Sequence, residues 1–259
     1  MEDRVKPFKT ILNFRDFGHY ETVDGAKVAR DKLFRSAHLN NLDDAELAAI
    51  ADMNIGLVVD LRHKPERTRQ PSRYPIEDEA RVLVYIDPPE YKAAKTAPHE
   101  AFMEQELNTP EDAHNYMMKS YSLRAGDKGF QDIFRDTLHH MAETGDAILV
   151  HCAAGKDRTG TLVALIQGLL GVPAKDIRED YMLTNKAVDI EGFLEPASKA
   201  FTKRYGRAIA PDALRPMFGV KADYLDSALE QMGDLRKYAQ DILGLSDQDI
   251  TKLRDHYLE

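Results

Sequence analysis

Ala147-Ile148-Leu149-Val150-His151-Cys152-Ala153-Ala154-Gly155-Lys156-Asp157-Arg158-Thr159-Gly160 is the stretch from which the fold is read. Its first four residues form a short apolar run, the pattern of a buried strand. Thr161 to Leu170 is apolar nearly all round and reads as a buried helix, beginning near Thr159 and closed by Gly171 and Pro173. A loop that leaves a buried strand and enters a buried helix aims successive N–H groups at one point, and the helix dipole adds partial positive charge there. Such a place suits a tetrahedral oxyanion.

The residues within the loop fit that use. Ala153, Ala154 and Gly155 are small enough for the backbone to close around an anion. Arg158 offers a planar fork that holds two oxygens at once and follows them as charge redistributes during phosphoryl transfer. The same positive field favours the thiolate of Cys152, as it does for thiols at helix N-termini or beside arginine. Attack by that sulfur on phosphorus gives a phosphocysteine that water then hydrolyses, splitting one hard step into two. Thr159 is placed to hydrogen-bond the sulfur as it leaves, and Lys156 to add a second positive charge. No metal or cofactor is called for, since the amides and Arg158 supply the positive charge. The competing reading makes Cys152 a small buried hydrophobe, the common fate of an unpaired cysteine. A Cys with an Arg six positions later is weak by itself; the flanking His, Gly, Thr and Gly, with a buried strand before and a buried helix after, decide for the site.

Working outward, Asp43 and Glu46 form a capping box with Leu42 and Leu47 as its staple, so a helix runs from about Asp44 toward Met53. Gly56 ends it, and Leu57-Val58-Val59-Asp60-Leu61 reads as a second buried strand. Thr109, Pro110 and Asp112 start a helix reaching about Leu123. Phe130, Ile133, Phe134, Thr137, Leu138 and Met141 make one stripe on the next, which ends at Gly145-Asp146. Tyr224, Leu225, Ala228, Leu229 and Met232 share a helical face, and Ser246 with Asp249 opens the last helix. The fold class is therefore α/β: a central mixed, largely parallel sheet flanked by helices, the anion-binding loop between a buried strand and a buried helix, and a helical C-terminal part.

Residues 1–259 read as a single domain, with no repeat, low-complexity tract or linker to divide them. The net charge of −9 argues against nucleic acid as a partner. With one cysteine in the chain, an intrachain disulfide, a four-cysteine zinc site and a two-cysteine redox pair are excluded. The histidines show no ligand spacing. No apolar stretch has the length of a transmembrane segment, and the charged start shows no signal peptide, so the expected location is the cytoplasm, although export without a signal would leave no trace.

At His151 to Gly160 the sequence resembles the protein tyrosine phosphatase superfamily, in particular the bacterial tyrosine phosphatases of dual or triple specificity. The resemblance extends to Asn13-Phe14-Arg15-Asp16-Phe17-Gly18, Leu33-Phe34-Arg35-Ser36-Ala37, Val59-Asp60-Leu61-Arg62 with Glu66, and Ile177-Arg178-Glu179-Asp180-Tyr181. It implies cleavage of phosphotyrosine, often of phosphoserine or phosphothreonine, and in several members of phosphoinositides. Phosphorylated protein or phosphoinositide are thus the expected substrates.

The chain has no tryptophan, so it lacks the Trp-Pro-Asp loop that supplies the general acid in the large tyrosine phosphatases. Three aspartates compete for that role. Asp157 lies inside the loop, at the acidic position that marks the bacterial subfamily. Asp87, in Tyr85-Ile86-Asp87-Pro88-Pro89, sits on an upstream loop, and Asp60 stands at the end of a strand, where open α/β sheets place ligands. A solvated turn for Asp87 and a structural ion pair with Arg62 or Arg158 for Asp60 are the alternatives. A lysine at 156 resembles the loop of phosphoinositide phosphatases; it equally suits a pair with Asp157. Arg15, Asp16 and Arg35 are expected to form a structural polar network. Residues 186–218 read either as a helical lid, with Lys199, Lys203 and Arg207 on one face of a helix at about 196–206, or as a solvated charged face over ordinary packing. The main functional reading is a tyrosine phosphatase working through phosphocysteine; the alternatives are a phosphoinositide phosphatase and a phosphate-binding module without catalysis.

Overall fold

The computed structural model describes residues 4–6, 8–75, 81–89 and 95–259. In chain order the elements are β1 (Arg15–Asp16), β2 (Leu33–Ser36), α1 (Asp44–Ala51), β3 (Ile55–Asp60), α2 (Lys64–Arg69), β4 (Val82–Val84), α3 (Pro98–Gln105), α4 (Pro110–Arg124), α5 (Lys128–Thr144), β5 (Ala147–His151) and α6 (Asp157–Leu170). Helices follow: α7 (Ala174–Met182), α8 (Thr184–Ala187), α9 (Ile190–Tyr205), α10 (Pro211–Phe218), α11 (Ala222–Met232), α12 (Leu235–Asp241) and α13 (Asp247–Tyr257). The sheet runs β1-β2-β5-β3-β4, with β1 antiparallel to β2 and the other neighbours parallel, which is the mixed, largely parallel sheet expected.

The helix starts follow from local chemistry. The side chains of Asp43, Thr109 and Ser246 accept from the N–H groups of Glu46, Asp112 and Asp249, as their spacing predicts. Some boundaries shift. β3 begins at Ile55, two residues before the expected Leu57, and α6 begins at Asp157 instead of near Thr159. The second shift places Asp157 and Arg158 in the first turn of α6.

Alternation along β5 divides the core. Ile148 and Val150 join Leu33, Leu57 and Val59 on the face covered by α4, α5, α6, α11 and α13. Leu149 points the other way, to Phe14, Phe34, Val58 and, from α1, Ile50. A third cluster lies outside the sheet, where Phe102 and Met103 of α3 and Ala113 of α4 meet Leu194 of α9 and Ala213 and Leu214 of α10. The segment at 186–218 is thus largely helical and shares a small core with α3 and α4. The parallel register sets Ser36, His151 and Asp60 side by side at the C-terminal ends of β2, β5 and β3. Open α/β sheets bind ligands along this edge. No helix among the described residues is long and apolar enough to cross a membrane.

Candidate active site

Cys152 is the residue after β5, at the middle of that edge, and is 1% exposed. The loop beyond it turns at Gly155, whose φ of 64° lies in the left-handed region. A Cβ there would sit 2.2 Å from the carbonyl oxygen of Ser36, so both conformation and space call for glycine.

The two sides of this loop differ in their hydrogen bonding. The carbonyl of Ala153 accepts from the N–H of His38 (3.1 Å), and that of Lys156 from Gly160 (2.7 Å). Asn13 Nδ2 donates to the carbonyls of Ala154 (3.2 Å) and Gly155 (2.8 Å). Arg35 Nη2 donates to Gly155 (2.9 Å) and Lys156 (3.4 Å). By contrast, none of the N–H groups of residues 153–158 finds a protein acceptor among the described residues. Because each peptide is planar, a carbonyl held outward sends the N–H of the next residue inward. The result, among the described residues, is a cradle of donors without protein acceptors at the mouth of α6, a geometry that suits an anion.

Arg158 closes the cradle. Its Nη1 and Nη2 donate to the two carboxylate oxygens of Glu66 at 2.6 and 2.9 Å, and Nη1 also donates to the carbonyl of Leu61 at 3.1 Å. Burial alone would push the Glu66 carboxyl up, but the Arg158 charge and its two bonds hold it well below the usual carboxylate range. Burial opposes the charge of Arg158 as well, yet Glu66, Cys152 and Asp157 raise its pKa above the ordinary arginine value. The guanidinium is therefore charged, and its fork is fixed in one plane.

The three candidate aspartates fall into different surroundings. Asp157 lines the cavity above Cys152, and its Oδ1 accepts from the hydroxyl of Tyr121 at 2.6 Å. That hydroxyl lies 2.7 Å from the hydroxyl of Tyr181. Asp87 keeps both oxygens inside the protein, on His63 Nδ1 (2.6 Å) and on the N–H of Lys64 (2.8 Å), and does not itself line the cavity. Burial would raise its pKa, but those two partners bring it below the ordinary value. Asp60 is fully buried against Arg62 and accepts from Tyr74 as well. Although burial favours the neutral acid there, His151 and Arg62 lower its pKa to about 2. Asp60 thus forms the ion pair with Arg62, and its carboxylate oxygens are occupied by Arg62 and Tyr74 inside the fold.

Lys156 and Thr159 flank the cradle in different ways. Lys156 turns its ammonium onto the carbonyls of Met217 and Gly219 (2.9 Å to the latter) at the end of α10, with Asp157 Oδ2 at 3.6 Å. Burial lowers its pKa, with Asp157 and Cys152 acting against the shift. Thr159 Oγ1 is buried without a hydrogen-bond partner among the described residues, so no bond to the sulfur is formed. Of the expected network, Arg15 and Arg35 both pair with Asp180 (3.3 and 2.8 Å), whereas Asp16 accepts from the N–H groups of Gly18 and Asp31.

The cavity over Cys152, Ala153, Ala154 and Arg158 holds about 630 Å³. Tyr85, Phe102, Tyr116 and Phe130 wall it, with Phe102 stacked on Tyr116 at 4.1 Å between centroids. His63 and His99 reach its side; the pKa of His99 is lowered to about 4 by burial and by Arg158, against the pull of Glu66. No sequence signal marks these residues as one wall, because they come from separate elements that only the fold brings together. Glu66 stands in a segment singled out by resemblance, but its bond to Arg158 is visible only in three dimensions.

The family model described as Tyrosine phosphatase family matches residues 6–259. The chain belongs to that tyrosine phosphatase family. The phosphatase is 30% identical to the triple specificity protein phosphatase PtpB of Mycobacterium tuberculosis, over 96% of this chain and 98% of that one. It is 28% identical to a tyrosine-protein phosphatase of Nostoc commune, over 88% and 74% of the two chains. Among solved structures, the core catalytic domain of the PP-IP phosphatase SIW14 from S. cerevisiae aligns over 83% of this chain and 88% of that one, with 13% identity and a TM-score of 0.32.

Proposed function

We propose that this phosphatase hydrolyses phosphotyrosine in proteins with Cys152 as nucleophile, Arg158 and the amides of residues 153–158 as phosphate cradle, and Asp157 as proton donor and acceptor. The Cys152 thiolate attacks phosphorus, the S–P bond forms, the P–O bond to tyrosine breaks, and Asp157 gives its proton to the leaving oxygen. Water then attacks the phosphocysteine, its proton passes to Asp157, and the S–P bond breaks to free phosphate and restore the thiolate. Tyr121 holds Asp157 beside the loop during both transfers. The observation that carries this reading is the one-sided loop, with its carbonyls bonded outward and its N–H groups left for an anion.

Aromatic walls favour an aryl phosphate over a short serine or threonine ester. A phosphoinositide is the second reading, supported by Lys156 beside the cradle, but that ammonium is committed to carbonyls at the end of α10, which favours substrates with one phosphate. A helical lid made by α9 and α10 fits the contribution of Met217 to the cavity wall. A chemistry that needs one free thiol suits the reducing cytoplasm.

The test is Cys152→Ser, assayed with a phosphotyrosine peptide and a phosphoinositide side by side with the wild type. The expected result is wild-type turnover faster on the peptide, and a variant that binds the peptide but releases no phosphate. Normal turnover by the variant would overturn the covalent route. A wild type that binds the peptide without releasing phosphate would show a binding module instead.

A further inference from the structure

Two buried side chains that never face the cavity hold the back of the phosphate loop. Asn13 is 3% exposed and adopts φ 59°, a conformation that asparagine accepts more readily than most residues. Its amide is not free to turn over. Arg15 Nη1 donates to Asn13 Oδ1, and because a guanidinium can only donate, the oxygen must face Arg15 and the NH2 must face the loop. That NH2 meets the carbonyls of Ala154 and Gly155. Arg35, fully buried, reaches the Gly155 carbonyl from Nη2 while its Nη1 donates to Asp180. Asp180 in turn accepts from Arg15 Nε, so one carboxylate on α7 orients both arginines and, through Arg15, the asparagine.

We propose that Asn13 and Arg35 are positioning residues for phosphate binding: they pin the Ala154 and Gly155 carbonyls outward and thereby turn the N–H groups of Gly155 and Lys156 into the cradle. This rests on the phosphatase reading of the loop given above. The peptide between Ala154 and Gly155 and the one between Gly155 and Lys156 are the ones affected. Glycine at 155 leaves the second of them with little side-chain restraint, so the outside bonds must set its orientation. Two side-chain donors meet on the Gly155 carbonyl, Asn13 Nδ2 at 2.8 Å and Arg35 Nη2 at 2.9 Å.

Asn13→Asp is the sharpest probe. The shape is retained and Oδ1 still faces Arg15, but an acceptor replaces the donor and opposes the loop carbonyls. Asn13→Gly removes the side chain and suits the left-handed backbone, so it carries the same measurement should the aspartate variant fail to fold. Binding of tungstate, a tetrahedral oxyanion, is measured by calorimetry on folded protein, beside kcat and KM for a small aryl phosphate and the thermal midpoint. Tungstate affinity and kcat/KM are expected to fall together by about tenfold or more, the loss typical of a hydrogen bond that orients charge. Wild-type tungstate affinity in the folded variants, with only the thermal midpoint lowered, would make these residues mere fold elements and overturn the proposal. Because tungstate binding needs no turnover, failure here stays distinguishable from failure of the proposed reaction. A wild type that binds tungstate and hydrolyses nothing would refute the reaction alone.

Discussion

Cys152, Arg158 and the amides between them come from one run of consecutive residues, 152–158, whereas the walls above them are drawn from separate elements: Tyr85 after β4, Phe102 of α3, Tyr116 of α4, Phe130 of α5 and Met217 of α10. The floor is held by hydrogen bonds to backbone carbonyls and by the Arg158–Glu66 pair. The rim is held by ring stacking and by a small separate core. The difference teaches where each property of the enzyme is written. In the proposed function, phosphate binding rests on directional bonds that tolerate little displacement, so it is encoded in a short segment with fixed spacing. Substrate fit, in the same proposal, rests on apolar area, which many side chains supply equally well, so it is spread along the chain.

Asp157 joins the two regions, being part of the floor by sequence and tied to α4 of the rim through Tyr121. Asp157→Asn is therefore expected to give the largest effect on the comparison. For an alkyl phosphate, whose leaving oxygen needs the proton, kcat should fall by about 10²–10³-fold; an aryl phosphate with an acidic phenol should lose much less. Measuring both substrates on one preparation checks it. Equal losses would make Asp157 a binding residue, and the junction would carry no proton.

Glu66→Gln tests the floor alone. The variant leaves a buried guanidinium with half its fork unpaired, and kcat/KM on any phosphomonoester should drop by about a hundredfold through lost alignment. The urea midpoint should fall too, since removing one partner of a buried pair costs roughly 3–5 kcal/mol, less whatever the Cys152 thiolate compensates. Unchanged kcat/KM with a lowered midpoint would reduce Glu66 to a packing partner and weaken the contrast drawn above.

The same contrast explains what the sequence made legible. β5, the loop and α6 could be read because a short apolar run, a spaced Cys and Arg, and an all-apolar helix are local patterns. The caps at Asp43, Thr109 and Ser246 are local as well. Asp60, Asp87 and Asp157 were inseparable, because a carboxylate's role depends on whether its oxygens are already taken, and their partners Arg62, His63 and Tyr121 include groups far away in sequence. The carbonyls that hold Lys156 lie some 60 residues downstream, so its local sequence does not reveal them. Phe102 and Tyr116 look like any other apolar positions on helices; only the approach of α3 to α4 makes a wall of them.

Phe102→Ala is expected to have the smallest effect, and it bears on the rim alone. Phe102 is 6% exposed, stacks on Tyr116 and belongs to the cluster that seats α9 and α10. Truncation removes one face of the slot for an aryl ring without touching Cys152, Arg158 or the loop, so KM for a phosphotyrosine peptide should rise several-fold, in keeping with about 0.5–1.5 kcal/mol for an aromatic contact. For inorganic phosphate, which in the proposed function the floor alone binds, the inhibition constant should stay at the wild-type value. If phosphate affinity fell in step with peptide affinity, the rim would be setting the geometry of the floor, and the two regions would have to be treated as one.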